Sequence, residues 1–259
     1  MKVVILCGGK GTRLREETEF KPKPMVEVGG FPVVWHIMQR YAKYGFNDFI
    51  LALGYKAEIA KEYFYHYRMR NSDFTINLGN GDVSTHGKCA DFACENWRVT
   101  LCDTGEDTLK GGRIKRIARY IDTDRFMVTY GDGVADIDIA ALIKFHEQSG
   151  KMGTFTGVRM PSRFGTVKTD SNGNILSWQE KPVLDEFINC GFFVFKREFL
   201  DYLSEDESCD LEKEPMERLA AENQLSMYPH QGFWQCMDTL RDHQTLTELW
   251  ESGKRPWVK

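Results

Sequence analysis

The chain has 259 residues, 42% of them apolar and 28% charged, enough to bury the core of one large α/β domain spanning residues 1–259. Its formal net charge of −4 argues against nucleic acid as a partner, because such binders carry a basic face. No apolar run approaches the roughly 20 residues of a membrane span, the chain opens on a strand rather than a leader, and its seven cysteines show no repeated CxxC, which reads as the reduced thiols of a cytoplasmic protein.

In chain order, the apolar residues 3–6 read as a buried strand. Residues 31–44 read as a helix with Pro32 near its first turn and Ile37, Met38 and Tyr41 on one stripe. A strand at 49–53 and a helix at 57–67 follow. Residues 79–96 mix Gly, Asn, Asp and Cys without periodicity and read as a long loop or insertion. Within it His86, Cys89 and Cys94 are too irregularly spaced, and lack a fourth partner, to read as a zinc site. Ile114, Ile117, Ala118 and Ile121 mark a helix leading into a strand at 126–130. This rhythm implies a mostly parallel sheet with helices on both faces, binding ligands beyond the carboxyl ends of its strands. After about residue 150 short strands take over, at 155–159, 166–169, 175–179 and 191–195. The turn Asp170-Ser171-Asn172-Gly173-Asn174 pairs two of them as a hairpin, and a helix at 240–250 closes the chain.

Four segments carry chemistry. Leu6-Cys7-Gly8-Gly9-Lys10-Gly11-Thr12-Arg13-Leu14 follows the first strand, and its glycines let backbone N–H groups approach a polyanion beside the Thr12 hydroxyl and the Arg13 cation. It is neither a Walker loop nor a dinucleotide fingerprint, since Leu14 stands where the third glycine should fall. Lys21-Pro22-Lys23-Pro24 cannot sit inside a helix, so its ammonium groups are held apart on extended backbone. Asp132, in Tyr130-Gly131-Asp132-Gly133, lies at the carboxyl end of a strand, where a metal-binding carboxylate belongs and where a simple Asp turn is the competing reading. Asp238 supplies a second carboxylate, competing with a role as N-cap of the last helix.

The glycine turn and the Lys-Pro-Lys-Pro stretch together resemble the sugar-1-phosphate nucleotidyltransferases. Glu180-Lys181-Pro182, Asn189-Cys190-Gly191-Phe192-Phe193 and Trp234-Gln235-Cys236-Met237-Asp238-Thr239 follow in that family's order, with Cys190 departing from the usual glycine. Chain length, the Lys-Pro-Lys-Pro-Met stretch, the segment from Asp103-Thr104-Gly105 to Gly111-Gly112-Arg113, and Gly232-Phe233-Trp234 look most like members that join CTP and glucose 1-phosphate into CDP-glucose.

The resemblance implies an α/β fold with a mostly parallel, mixed, Rossmann-like sheet and a small β-rich part. Residues 1–150 would mainly bind nucleotide and 151–259 mainly sugar phosphate. It implies catalysis by Lys23, Arg13 and Asp132, with nucleotide held by Leu6, Cys7, Gly8, Gly9, Lys10, Gly11, Thr12, Arg13, Lys23, Thr108, Arg113 and Gly131. Sugar phosphate falls to Glu180, Lys181, Asn189 and Gly191, and Mg²⁺ to Asp132 and Asp238. A homo-oligomer is implied, with residues 79–96 as a candidate interface. For Arg113, neighbouring Lys115, Arg116 and Arg119 leave a solvated basic face as an alternative. Use of UTP or dTTP, or a non-catalytic relative, are the competing functions. A nicotinamide oxidoreductase is disfavoured by the missing glycine.

Overall fold

The protein is seen here as a computed structural model that describes residues 1–86, 96–162 and 164–258. Val3, Val4 and Ile5 are β-branched or bulky and wholly buried, the environment of a central parallel strand covered on both faces. They form β1 (Lys2–Cys7), flanked in parallel by β2 (Asp48–Leu53), with β3 (Arg98–Asp103) beyond it, and on the other side by β4 (Arg125–Tyr130). The sheet continues through β5 (Gly153–Pro161), β6 (Val183–Lys196) and β7 (Leu225–His230) in the order β7-β5-β6-β4-β1-β2-β3. Of the seven strands, β6 alone runs antiparallel to its neighbours. Both halves of the chain therefore build one sheet.

Alternate residues of β1 feed two cores. Val3 and Ile5 join Ile37, Met38, Tyr41 and Leu142 on one face, while Val4 and Leu6 join Ile114, Phe195, Phe199 and Leu219 on the other. Helices Val33–Ala42, Ile139–Ser149 and Leu240–Glu251 contribute to the first face; Lys110–Arg116 and Glu214–Ala221 contribute to the second. No helix among the described residues is long and apolar enough to cross a membrane.

Several expected boundaries move. The helix expected at 31–44 is shorter, Val33–Ala42, because Pro32 is extended and lies with Phe31 in a two-residue strand against Glu27–Val28. The helix read from Ile114 begins at Lys110 and gives way to a 3₁₀ turn at Ala118–Tyr120. Gly111 and Gly112 hide that start in sequence, yet here they are required. A Cβ on Gly111 would stand 2.7 Å from the Cys209 sulfur, and one on Gly112 would stand 2.5 Å from the Asp206 carbonyl. In the 79–96 stretch, Val83–His86 is not loop but a strand paired with Asp73–Ile76, and His86 Nε2 lies 2.9 Å from Thr75 Oγ1. Cys89 and Cys94 lie outside the described residues.

The hairpin of Thr166–Thr169 and Ile175–Gln179 forms as expected. The strand expected at 191–195 is far longer: β6 pairs with β4 only from Phe192 to Lys196, but with β5 back to Val183. The outer β5–β6 ribbon and the hairpin make an arm whose Ile175, Leu176, Trp178 and Val183 are largely exposed.

Candidate active site

The turn after β1 is shaped by Gly11, at φ +63°. Its carbonyl accepts the Leu14 N–H at 2.9 Å and the Thr18 hydroxyl at 3.0 Å. A Cβ there would meet Thr18 Cγ2 at 2.8 Å, so only glycine closes this loop. Gly8 is pinned differently: its carbonyl accepts the Tyr55 N–H at 3.2 Å and the Arg113 guanidinium at 3.1 Å. Arg113 is 4% exposed and donates to the carbonyls of Gly8, Leu53, Gly105 and Glu106 and to the Thr104 hydroxyl. It is a buried strut between the ends of β1 and β2, not part of a solvated basic face.

Pro22 is extended, and the 3₁₀ turn Lys23–Met25 after it drives the Lys23 side chain inward until 9% remains exposed. Lys23 Nζ donates to Asp132 Oδ2 at 2.7 Å and to Asp238 Oδ1. The two carboxylates meet because their segments are stitched together: Gly133–Ala135 pairs antiparallel with Trp234–Cys236, and the Met237 N–H donates to the Asp132 carbonyl at 2.8 Å. Arg13 Nη1 reaches the other Asp238 oxygen at 2.8 Å. Asp238 does not cap the final helix. Thr239 does so in a capping box with Asp242, whose carboxylate also takes the Asp238 N–H at 3.1 Å. That leaves the Asp238 side chain free to face Lys23.

Electrostatics follow from this packing. Burial pushes the Asp238 carboxyl up, but hydrogen bonding and charge from Lys23, with Arg13, outweigh it and hold the group below its ordinary value. Burial pulls Lys23 down, yet Asp132 and Asp238 together raise it, so it stays an ammonium. Nearby Cys236 is pushed up to about 11 by burial and by Asp238 and Asp132, which keeps it a thiol.

These groups line a cleft of about 550 Å³ beyond the carboxyl ends of β1 and β4. Of the residues expected in the site, it gathers Leu6, Gly8, Gly9, Gly11, Thr12, Arg13, Lys23, Thr108, Arg113, Gly131, Asp132, Asn189 and Asp238. Others stand apart. Cys7 is buried in the core, and Lys10 is held outside by Asp107 at 2.8 Å and Glu106 at 3.3 Å. Glu180 and Lys181 are exposed on the arm, their charges 3.7 Å apart. Gly191, at φ +85°, lies against the ring of Tyr130 rather than on the cleft wall.

The cleft also holds Cys190, the departure from the family's usual glycine, and Tyr130, Lys110, Glu212 and Trp234, which sequence reasoning did not place there. Tyr130 had a signal, as neighbour of Gly131-Asp132. Glu212 had none, since Asp210-Leu211-Glu212-Lys213-Glu214 looks like solvated surface. A groove of similar size, about 570 Å³, runs beside β3, but apart from Lys61 and Glu62 its walls are aromatic and aliphatic, without converging charge.

The profile of the nucleotidyl transferase family matches residues 2–243. A glucose-1-phosphate cytidylyltransferase of Salmonella typhi is 48% identical over 99% of this chain and 98% of its own. A probable glucose-1-phosphate cytidylyltransferase of Bacillus subtilis is 42% identical over 99% of each. Among solved structures, a putative glucose-1-phosphate thymidylyltransferase from Bacillus anthracis superposes with a TM-score of 0.69 at 18% identity, over 96% of this chain and 94% of that one, a likeness of fold alone. The cleft at the sheet's carboxyl edge thus sits in a chain whose likeness to these enzymes runs nearly end to end, and the protein belongs to the nucleotidyl transferase family.

Proposed function

We propose that the protein transfers the cytidylyl group of CTP to glucose 1-phosphate, giving CDP-glucose and diphosphate. The observation that carries this is the meeting of Lys23, Arg13, Asp132 and Asp238 at the mouth of a glycine turn. The near full-length likeness to cytidylyltransferases supports the choice of nucleotide and sugar.

In this reading a phosphate oxygen of the sugar attacks the α-phosphorus and diphosphate leaves. No covalent enzyme intermediate is needed, so alignment and neutralisation of developing charge do the catalysis. Lys23 serves the α-phosphate. Its compact ammonium can shift with the charge as the bond changes partners, which a rigid guanidinium fork cannot. The Gly8–Thr12 amides and Arg13 hold the departing phosphates. Thr108 and the backbone around Gly131 face the nucleoside, with Arg113 holding the turn in shape beneath them. Asn189 faces the sugar from the opposite wall. Glu180 and Lys181, exposed on the arm, are assigned to sugar-phosphate binding by their place in the family's order of motifs.

Two carboxylate oxygens converging on one cationic atom suit a hard dication equally well, so Asp132 and Asp238 fit Mg²⁺. When bound, the ion supplies charge neutralisation between the two polyanions. We also propose a cytoplasmic homo-oligomer, supported by the free thiols of Cys7, Cys102, Cys190, Cys209 and Cys236 and by the apolar face of the arm.

A panel of CTP, UTP and dTTP with glucose 1-phosphate and Mg²⁺, scored by diphosphate release, tests the reading. CTP is expected to be used best. Preference for UTP or dTTP would correct the nucleotide, because cytosine and uracil differ at position 4 as donor against acceptor. Release with none of them would leave a non-catalytic relative.

A further inference from the structure

Tyr130 is held from every side that does not face the cleft. Its hydroxyl donates to Glu212 Oε1, and the same Glu212 takes the Lys110 ammonium on Oε2. Asn189 Nδ2 donates to the Tyr130 oxygen at 3.1 Å and lies 3.4 Å from Glu212 Oε1. The Asn189 amide cannot flip, because its Oδ1 accepts the Gly191 N–H at 2.9 Å. Lys110 Nζ sits 5.2 Å from the centre of the Tyr130 ring. Beneath the ring lies Gly191, where a Cβ would stand 2.6 Å from Tyr130 Cδ2. Three side chains from three other segments, Glu212, Lys110 and Asn189, are thus committed to orienting one phenol, and all three line the cleft with it.

The phosphate-side groups have no need of this arrangement, since Lys23, Arg13, Asp132 and Asp238 are ordered by their own contacts. What the Tyr130 oxygen offers is a fixed neutral acceptor. Its proton is committed to Glu212, burial and the Glu212 charge both push the phenol up so that it stays protonated, and a lone pair remains beside the Asn189 donor. An acceptor of fixed direction next to a carboxylate and an ammonium suits a polyol. It has nothing to offer an ionised phosphate, which carries acceptors and no proton to donate.

We propose that Tyr130 reads one hydroxyl of the acceptor sugar, and that Glu212 is the positioning residue that aims it. This rests on the reading that the acceptor is a sugar 1-phosphate. Sites built to pair a substrate hydroxyl reject analogues lacking it far more strongly than apolar pockets reject an extra group. Selectivity among hexose 1-phosphates is then set on the cleft wall, by Tyr130, and not only by the charged pair on the arm.

The test pairs a protein group with a substrate group. Tyr130→Phe removes one oxygen and is expected to raise KM for glucose 1-phosphate about tenfold, the equivalent of one lost hydrogen bond, with KM for CTP changed less than about twofold. The loss is expected to vanish with one of the 2-, 3-, 4- or 6-deoxyglucose 1-phosphates, the one lacking the hydroxyl that Tyr130 reads. Glu212→Ala is expected to show a similar sugar-specific rise, and the double variant to be no worse than the larger single effect, as befits groups acting through one atom. A Tyr130→Phe loss that persists with all four deoxy sugars, an equal rise in KM for CTP, unchanged kinetics, or additive single effects would each overturn the proposal. The wild-type nucleotide panel is read first. If another nucleotide is preferred, the functional reading is corrected while the deoxy-sugar series is run with that nucleotide.

Discussion

Lys23 is the residue on which most of the site depends, and removing it separates two effects. Lys23→Ala is expected to cut turnover about 10²–10³-fold, the usual cost of one preorganised electrostatic contact, while CTP affinity falls much less. Stopped or steady-state rates beside a CTP titration on the folded variant check this; near-normal turnover would contradict the assignment. The same substitution leaves Asp132 and Asp238 facing each other without their shared cation. Since Asp238 is held below its ordinary value in the fold, it stabilises the protein above the unfolded aspartate range, near pH 3.9, and that stability is lost as pH falls through the folded value. Lys23 works with the opposite sign: raised in the fold, it contributes fully below about pH 10.4 and loses its contribution as pH rises beyond that. Denaturant midpoints of Lys23→Ala are therefore expected to lose the part of the acid drop that Asp238 contributes below about pH 3.9. A second residue-scale expectation concerns Gly191, whose φ of +85° and contact with the Tyr130 ring both exclude a side chain. Gly191→Ala is expected to destabilise by about 1–3 kcal/mol and to weaken glucose 1-phosphate more than CTP.

At the scale of elements, two buried histidines tie helices to the sheet and the closing segment. His36, on helix Val33–Ala42, contacts the Val28 carbonyl through Nε2 at 2.9 Å, while its Nδ1 accepts the Trp257 indole N–H at 3.2 Å. A second proton would have to enter at Nδ1, where an N–H already points. Burial accordingly lowers His36 to about 4, and burial with Arg125 and Lys196 lowers His146, at the end of helix Ile139–Ser149, to about 4. Depressed bases stabilise the fold above their unfolded value, near 6.5, and the loss accumulates as pH falls from there toward 4. Urea unfolding at pH 7.5 and 5.0 is expected to show a clear loss at the lower pH, and His146→Gln to reduce it. If the two midpoints coincide, these rings are not buried neutral.

The same elements show what sequence could and could not convey. Strands with unbroken apolar runs, such as β1, β2 and β4, were legible because period and burial coincide there. Helix Ile139–Ser149 was missed even though Asp138 caps it, accepting the Ala141 N–H at 2.9 Å, and Gly150 ends it at φ +65°. Of its eleven residues only Ile139, Leu142 and His146 are buried, so its apolar stripe is thin. Strand β3 was missed because one edge is open and its residues are only half buried. The glycine turn, Lys23, Asp132 and Asp238 were legible as residue types in order, but their meeting depends on the pairing of Gly133–Ala135 with Trp234–Cys236, about a hundred positions apart. Glu212 was invisible for the same reason: its partners come from three other segments.

Over the whole molecule, one seven-stranded sheet carries the glycine turn and the cleft wall, and its lone antiparallel member joins regions of different character. From Phe192 to Phe195 β6 is buried among Phe126, Phe199 and Tyr41. At Asn189 and Cys190 it forms the cleft wall, and from Val183 to Ile188 it has parted from β4 and pairs with β5 alone, as one edge of the arm. The arm's exposed Ile175, Leu176, Trp178 and Val183 are an expensive surface to leave in water, which underlies the proposed self-association. Trp178→Ser is expected to lower the sedimentation mass of the purified protein at micromolar concentration with little change in thermal midpoint. Equal mass for both proteins, at any concentration, would place the interface elsewhere or remove it.

A six-residue run of extended chain spans roughly 20 Å, so even with the irregularity opposite Arg159–Pro161 the outer part of β6 is a short link between the cleft wall at Asn189 and the exposed apolar surface of the arm. The two proposals meet on that strand, where Asn189 holds Tyr130 and Val183 joins the exposed face of the arm. Exchanging the arm is then expected to shift hexose 1-phosphate selectivity together with self-association, which kinetics and sedimentation on one arm variant check.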